Sequence, residues 1–340
     1  MTEQVCWLNG VLAKVSQARI SPLDRGLLYG DGLFETMRAY GGVIFRLGAH
    51  VERLLQAAKA LRFPFALDAE VLAEACQEVV AANDLTDAYV RLTITRGVGG
   101  SPGELDASRE PTILAVAREY HGYPPELYER GMNAAVASVR RNVSSVLSRV
   151  KSLNYLDNLL ARAQAAERGA DEALLLHSEG KVVEGSASNV FIVPRVGRAS
   201  KPVRHSSEGA KAGPTPFPDG QRILTPPISA GVLPGITREC ILEVCAELDI
   251  DSAEESFTLD ELFAAEEAFL TNSLMEVMPL TRVDGIPVGR GIPGRVTKSL
   301  MQAYRELVRE ETASSRMRDS HLFPSDDGAA NGRRAGGGSR

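Results

Sequence analysis

Apolar residues fall at helical spacing in two segments of the first third of the chain. The first segment runs from Ala49 to Leu61, and its apolar positions lie three and four residues apart. The segment from Asp68 to Asn83 repeats this spacing. The pattern predicts two helices, each with one buried face.

Strand patterns surround these two helices. Short β-type runs with Gly-rich turns occupy Val5 to Val15, Gly26 to Tyr40 and Val43 to Leu47. Further strands are predicted at Ala88 to Thr95 and at Thr112 to Ala117, where side chains alternate between two faces. The first third of the chain is therefore expected to form a small α+β domain.

Strands and helices also alternate through the rest of the chain. Strand patterns cover Met132 to Val139, Glu172 to His177, Lys181 to Glu184 and Asn189 to Val193. Helical patterns cover Leu153 to Arg168, Thr237 to Leu248, Leu259 to Ala264, and Gly294 to Glu310. In the first of these helices, the apolar face is expected to contain Leu156, Leu159, Leu160 and Ala163.

These elements predict two domains of an α+β fold. The small domain covers residues 1–122 and a Pro-containing linker covers 123–130, so the second domain covers 131–311. Residues 195–221 are rich in Gly, Pro, Ser and Lys, which predicts an inserted mobile surface loop. Residues 312–340 have the composition of a disordered tail.

Charge and composition favour a small-molecule ligand. The formal net charge is -6 and the pI is about 5.6, so the chain is not expected to bind nucleic acid or an anionic membrane surface. No apolar run is long enough to span a membrane, which predicts a cytoplasmic protein. The four cysteines lack metal-ligand spacing, so no metal site is expected.

Lys151 lies where a polar bend meets a predicted helix. Its amino group would lie near the positive end of the helix dipole, which favours the neutral amine. A neutral amine is the form that makes Schiff bases. The alternative is that Lys151 is a solvated surface charge, as most lysines are.

Glu184 ends a predicted strand where the backbone turns. A carboxylate can keep a pyridinium nitrogen protonated, and the ring then accepts electrons. A charge at the end of a hairpin is the structural alternative.

Three further segments offer groups that could hold a phosphate. Residues Leu233 to Arg238 open a helix through a Gly turn, and free N–H groups at a helix start bind anions. Simple helix capping is the alternative there. Thr271, Asn272 and Ser273 follow an apolar strand and offer hydroxyl and amide donors. Arg53 offers a charge, although it could equally be an exposed helical cation.

Six motifs occur in a fixed order along the chain. They are Asp24-Arg25-Gly26 through Tyr29 to Thr36, His50-Val51-Glu52-Arg53-Leu54, Lys151-Ser152-Leu153-Asn154-Tyr155, Glu184-Gly185 with Asn189, Leu233 to Arg238, and Thr271 to Pro279. Together they resemble the class IV (fold-type IV) family of pyridoxal 5′-phosphate (PLP) enzymes. This family holds branched-chain and D-amino acid aminotransferases and aminodeoxychorismate lyase. The similarity runs from Trp7 to about Val308.

The resemblance implies a role for each candidate residue. The fold would have a small α/β domain and a larger domain with a β-barrel-like core and flanking helices. Lys151 would bind PLP as a Schiff base and shuttle protons, Glu184 would pair with the pyridine nitrogen, and Tyr155 would touch the phenolic oxygen. The phosphate would be held by Arg53, Ile236, Thr237, Asn272 and Ser273.

The resemblance also implies a homodimer. In this family a loop of a second subunit often reaches the substrate pocket, so Tyr29, Arg91 and Arg96 are candidates for contacts with the substrate.

The motifs divide over the reaction. Phe34 to Arg38 and Thr271 to Glu276 resemble lyases, whereas Tyr89 to Arg91 and Val288 to Thr297 resemble branched-chain aminotransferases. The sequence favours aminodeoxychorismate lyase, which forms 4-aminobenzoate and pyruvate in folate biosynthesis. The alternative is a branched-chain or D-amino acid aminotransferase. A non-catalytic anion- or PLP-binding module is disfavoured because both Lys151 and Glu184 are present.

Overall fold

The computed structural model describes residues 3–108, 110–195 and 221–322, with side chains as far as residue 315 apart from these gaps. Most of the proposed inserted loop and residues 323–340 of the proposed tail lie outside this part of the chain. The expected α+β fold is confirmed, because two sheets carry helices on their faces.

A six-stranded antiparallel sheet forms the first half of the structure. Its spatial order is β2-β1-β6-β5-β3-β4, and the strands are β1 (Val5–Leu8), β2 (Val11–Lys14), β3 (Gly32–Tyr40), β4 (Val43–Ile44), β5 (Ala88–Thr95) and β6 (Thr112–Glu119). Three helices accompany it: α1 (Arg25–Tyr29), α2 (Leu47–Ala60) and α3 (Ala69–Ala82). The apolar faces of α2 and α3 bury Leu54, Leu72 and Val79 against the sheet. These apolar contacts follow the spacing seen in the sequence.

A nine-stranded mixed sheet forms the second half. Its main order is β12-β11-β10-β13-β14-β7-β8-β9, and the strands are β7 (Met132–Arg141), β8 (Glu172–His177), β9 (Val182–Gly185), β10 (Asn189–Val193), β11 (Arg222–Thr225), β12 (Asp251–Glu254), β13 (Glu267–Asn272), β14 (Glu276–Val283) and β15 (Ile286–Pro287). Its helices are α4 (Pro125–Arg130), α5 (Leu156–Glu167), α6 (Ile236–Glu247), α7 (Leu259–Ala264) and α8 (Arg295–Leu322). Every residue of β8 and β10 is buried, because helices or other strands cover both faces.

The segment before α5 joins the two sheets. Phe34 N–H donates to the carbonyl oxygen of Lys151 (2.9 Å), and Leu153 N–H donates to that of Gly32 (3.0 Å). Strand β3 therefore fixes the backbone of Lys151 at the junction. The domain boundaries proposed from the sequence stay a prediction.

The buried face predicted for the helix over residues 153–168 is wrong. Helix α5 exposes Leu156, Leu159 and Leu160 and buries Asn158, Ala161 and Ala165 instead. Its small residues pack on β7 and β8, where a leucine would be too large for the close approach.

The disordered tail does not begin at residue 312. Helix α8 continues to Leu322, twelve residues past the predicted end at Glu310. Thr312 is buried and its hydroxyl donates to the carbonyl oxygen of Val308 (2.7 Å). Polar composition concealed this extension, because as far as residue 315 the buried side chains of α8 lie on one face among exposed polar ones.

Candidate active site

A cavity of about 440 Å³ lies where the two sheets meet. Its wall comes from β3 and β5 of the first sheet and from β9, the start of α6 and the turn after β13 of the second. All the residues proposed for the cofactor line it, namely Lys151, Glu184, Arg53, Tyr155, Ile236, Thr237, Asn272 and Ser273. Tertiary structure thus gathers residues that are up to 220 positions apart in the chain.

Lys151 presents its amine beside two aromatic rings. Its Nζ lies 4.7 Å from the ring centre of Phe34 and 5.9 Å from that of Tyr155. Burial lowers the pKa of Lys151 to about 8, with nearby Arg53 and Arg91 acting in the same direction. A substantial fraction of this amine is therefore neutral near physiological pH.

The expected helix-dipole effect on Lys151 is not the cause of this shift. Helix α5 begins at Leu156, so Lys151 precedes it by five residues, whereas the dipole acts within about one turn. Desolvation of the ammonium group dominates instead.

Glu184 is held by three donors. Its Oε1 lies 2.8 Å from Nη2 of Arg141, while its Oε2 accepts from Leu233 N–H (3.0 Å) and from Asn189 Nδ2 (3.5 Å). Burial raises the pKa of Glu184, and Arg141 and the Leu233 N–H oppose that rise. Three donors to a carboxylate that is 4% exposed fix its position at the cavity wall.

The start of α6 has the properties of an anion site. Gly235 precedes the helix, and no side chain caps it. The first backbone hydrogen bond of α6 runs from Glu239 N–H to the carbonyl oxygen of Gly235 (2.9 Å). The N–H groups of Ile236 and Thr237 precede it and therefore have no partner within the helix. A Cβ at Gly235 would lie 1.9 Å from Oδ1 of Asn189, so any larger residue here would displace the Asn189 side chain. These observations favour the anion-site interpretation over simple capping.

Arg53 extends from α2 to this helix start. Its Nη1 donates to the carbonyl oxygen of Pro234 (2.7 Å). Its Nε and Nη2 donate to the carboxylate of Glu35 at 2.8 and 2.5 Å. Arg53 is therefore a partly buried, positioned cation rather than an exposed helical one, with its side chain 12% exposed.

The turn after β13 closes the other side of the cavity. Ser273 Oγ faces Nε2 of His50 at 3.5 Å. The Asn272 side chain is used within the protein, since it donates to the carbonyl oxygen of Ala187 and accepts from Leu274 N–H and Met275 N–H. Asn272 therefore shapes the turn, with one of its two side-chain N–H groups donating to Ala187. Next to Asn272, the hydroxyl oxygen of Thr271 is buried and has no hydrogen-bond partner among the described residues.

Tyr155 and Arg91 occupy the wall around Lys151. The Tyr155 hydroxyl donates to the carbonyl oxygen of Ser186 (3.0 Å), and burial raises its pKa to about 12. The Arg91 guanidinium lies 3.9 Å from the ring centre of Phe34. Arg91 makes no ion pair with a described residue, so its charge is available to a ligand.

Tyr29 and Arg96 do not line the cavity. Arg96 is 2% exposed, lies 2.8 Å from Asp31, and donates to the carbonyl oxygens of Leu61 and Arg62. It connects loops of the first sheet, so the substrate role proposed for it is wrong for this cavity. Tyr29 is half-exposed at the end of α1, and its proposed role in the site of a second subunit stays a prediction.

The sequence interpretation gave no role to three charged or titratable residues of this site. They are the buried Glu35 and His50 and the partly buried Arg141. Glu35 and His50 stand inside the quoted motifs, and their polar side chains among apolar neighbours were the available signal. Arg141 gave no signal, because a charged residue at a strand end is ordinary.

Comparisons with known proteins agree on one family. The family model described as amino-transferase class IV matches residues 32–283. A putative branched-chain-amino-acid aminotransferase of Methanocaldococcus jannaschii is 38% identical over 302 residues, which cover 88% of this chain and 95% of that protein. An aminodeoxychorismate lyase of Bacillus subtilis is 30% identical over 305 residues, with 89% and 94% covered.

Solved structures agree with this similarity. A branched-chain amino acid aminotransferase from Thermobaculum terrenum, solved in its PLP-form, has a TM-score of 0.75 and 27% identity to this chain. The match covers 90% of this chain and 94% of that one.

Proposed function

This chain belongs to the class IV aminotransferases, whose cofactor is PLP, and from this premise we propose that it is a branched-chain amino acid aminotransferase. It would exchange the amino group of leucine, isoleucine or valine with a 2-oxo acid. The lyase activity that the sequence favoured has less support, since the lyase relative is 30% identical and the branched-chain relative 38%.

The donor groups of the cavity fit PLP. The start of α6 and Arg53 supply N–H donors and positive charge for a phosphate. Gly235 lines the cavity at the helix start, and the Thr271 hydroxyl, which has no partner among the described residues, is a further donor in the lining. Glu184 supplies a fixed carboxylate and Lys151 a partly neutral amine.

The residues of the chain perform distinct parts of the reaction. When bound, PLP supplies a carbonyl carbon for amino groups and a ring that withdraws electrons. Lys151 Nζ would hold the cofactor at rest and then move the proton of the substrate Cα. Glu184 would keep a proton on the ring nitrogen, and Arg141 would hold Glu184 in position. The rings of Phe34 and Tyr155 would exclude water from the amine.

The observation that carries the branched-chain proposal is the combination of an apolar cavity lining with the charge of Arg91. The apolar side chains that line the cavity are Phe34, Leu147, Val150, Leu159 and Leu274. Arg53 and Arg141 are paired with carboxylates, which leaves Arg91 as the unpaired guanidinium among the described residues that line the cavity. One free cation beside an apolar wall suits an amino acid with a carboxylate and an aliphatic side chain.

The deciding experiment compares three amino compounds. Purified protein is incubated with L-leucine, D-alanine or aminodeoxychorismate, and the products are separated by chromatography. We expect the 2-oxo acid of leucine at one equivalent per site, and many turnovers once 2-oxoglutarate is added. Formation of pyruvate and 4-aminobenzoate from aminodeoxychorismate, with no product from leucine, would overturn the proposal in favour of the lyase.

Arg91→Gln is expected to raise the KM for leucine by about 10- to 100-fold, because a charged hydrogen bond to the substrate carboxylate is lost. The kcat should change much less, since Arg91 is not proposed to move a proton. Steady-state kinetics measure both values. Arg309→Gln is the matched control, because Arg309 is exposed on α8. An unchanged KM in Arg91→Gln would remove this residue from substrate binding.

We also propose that the homodimer expected from the sequence forms through the exposed leucines beside the cavity. Leu27 and Leu156 are each 71% exposed, and the Asn154 side chain donates to the carbonyl oxygen of Gly30 (3.0 Å), which joins the two segments that carry these leucines. Contiguous exposed apolar side chains mark protein interfaces.

Leu156→Glu combined with Leu160→Glu is expected to convert the dimer to a monomer, because two charges would be buried in the interface. Sedimentation velocity at micromolar concentration measures the change. Leu12→Glu, at an exposed position on β2, should leave the dimer intact. Equal sedimentation of all variants would place the interface elsewhere.

A further inference from the structure

We infer that His50 is a proton site coupled to the phosphate end of the cavity, with Glu35 fixing its orientation and Ser273 linking it to the cavity. The inference rests on the cofactor assignment and adds a proton-linked residue to the phosphate site. It does not depend on which amino acid is the substrate.

Glu35 is the centre of a buried polar cluster. Both Glu35 and His50 are 1% exposed. Glu35 Oε2 lies 2.8 Å from Nδ1 of His50, and both carboxylate oxygens accept from Arg53. Phe34 and Thr36 lie on the face of β3 that lines the cavity. Because side chains alternate along a strand, Glu35 lies on the other face, which is directed towards α2. His50 and Arg53 are three residues apart on α2 and therefore share a face.

The contacts of His50 define its tautomer. A carboxylate only accepts, so the 2.8 Å contact requires a proton on Nδ1. Burial lowers the pKa of His50, against the opposing effect of Glu35, so the ring is neutral in the free protein. Its Nε2 then carries a lone pair that faces Ser273 Oγ at 3.5 Å. In this state the Ser273 hydroxyl hydrogen is directed to His50 and away from the cavity.

An anion in the cavity changes this balance. The negative charge of Glu35 and the positive charge of Arg53 cancel. Glu35 is ionised because Arg53 and His50 together outweigh the effect of burial and lower its pKa to about 2. Two other titratable groups interact electrostatically with the cluster: the charge of Lys151 lowers the pKa of His50, and the charge of Glu35 raises the pKa of the buried Cys76 thiol. A phosphate dianion therefore meets a neutral cluster, and Coulomb attraction favours a proton on Nε2 of His50.

Protonation of His50 reverses the Ser273 hydrogen bond. The Nε2–H group then donates to Ser273 Oγ, and the Ser273 hydroxyl is free to donate to the phosphate. Binding of the phosphate is thus accompanied by uptake of a proton from solvent by His50. Because binding and protonation are linked, affinity should fall as pH rises between the His50 pKa values of the free and the bound protein.

Calorimetry of the cofactor-free protein tests this coupling. The probe is pyridoxamine 5′-phosphate, which has no aldehyde and cannot react with Lys151. Titrations in two buffers of different ionisation enthalpy give the number of protons taken up. We expect the natural protein to take up as much as one proton more than His50→Gln, and His50→Gln to bind about 10-fold more weakly near pH 7. His121→Gln is the control, because the His121 side chain is 80% exposed.

A second measurement follows the histidine protons directly in the natural protein. The chain has five histidines, so NMR of ring-labelled histidine can follow each of them in the natural protein. We expect one ring to change from neutral to protonated when pyridoxamine 5′-phosphate binds, and that signal to be missing in His50→Gln.

The outcomes separate this inference from the proposed function. Tight binding with equal proton uptake in the natural protein and His50→Gln, and with His50 neutral throughout, would overturn the coupling alone. A failure to bind pyridoxamine 5′-phosphate would overturn both. Leucine turnover decides the substrate independently of either result.

Discussion

Lys151→Ala is expected to lower kcat by at least about 10³-fold, because the variant loses both the amine that holds the cofactor and the group that moves the Cα proton. The amine lies 4.7 Å from the Phe34 ring centre, and no other lysine lines the cavity in the described part of the chain. Steady-state turnover of leucine with 2-oxoglutarate measures the loss.

Two comparisons make the Lys151 result specific. Lys59→Ala, at an exposed position on α2, should retain full activity. Lys151→Ala should still bind pyridoxamine 5′-phosphate, because the phosphate site does not include the amine. Activity of Lys151→Ala near that of the natural protein would contradict the assignment of this residue.

The lowered pKa of Lys151 adds a pH dependence to cofactor uptake. The amine must be neutral to attack the aldehyde of PLP, and it loses its proton as pH rises through about 8. The rate of PLP attachment to the cofactor-free protein should therefore rise up to that pH and level off above it.

Glu184→Gln is expected to lower kcat by about 10²- to 10³-fold, as for other fixed charges that stabilise a transition state. Glutamine can still accept from the N–H of Leu233, but a neutral amide does not hold a proton on the ring nitrogen. The affinity for pyridoxamine 5′-phosphate should fall less than kcat, because the phosphate contacts are retained.

Glu172→Gln provides the control for a buried carboxylate. Glu172 is 2% exposed, accepts from Ser186 and lies 2.9 Å from Arg162, but it does not line the cavity. We expect this variant to lose stability and retain most of its kcat. Equal loss of kcat in both variants would mean that Glu184 acts only in folding.

The sequence predicted most elements because local periodicity follows burial. Strand β5 begins and ends where the alternation predicted, and α7 does the same for its helical spacing. The prediction was wrong on the buried face of α5 and the end of α8. In both, the partner surface decides which face is covered, and that surface comes from distant parts of the chain.

The sequence by itself determined the fold class and the family, since both are recorded in local patterns and ordered motifs, and it proposed the residues of the candidate cofactor site. Tertiary structure alone decided the burial, the pKa shifts and the charge pairing of these residues. It buried Lys151 and so lowered its pKa, placed Arg141 on Glu184 and joined Glu35 to His50 and Arg53. It also withdrew Arg96 from the cavity. The physical reason is that desolvation and charge pairing depend on distances between side chains that sequence spacing does not specify.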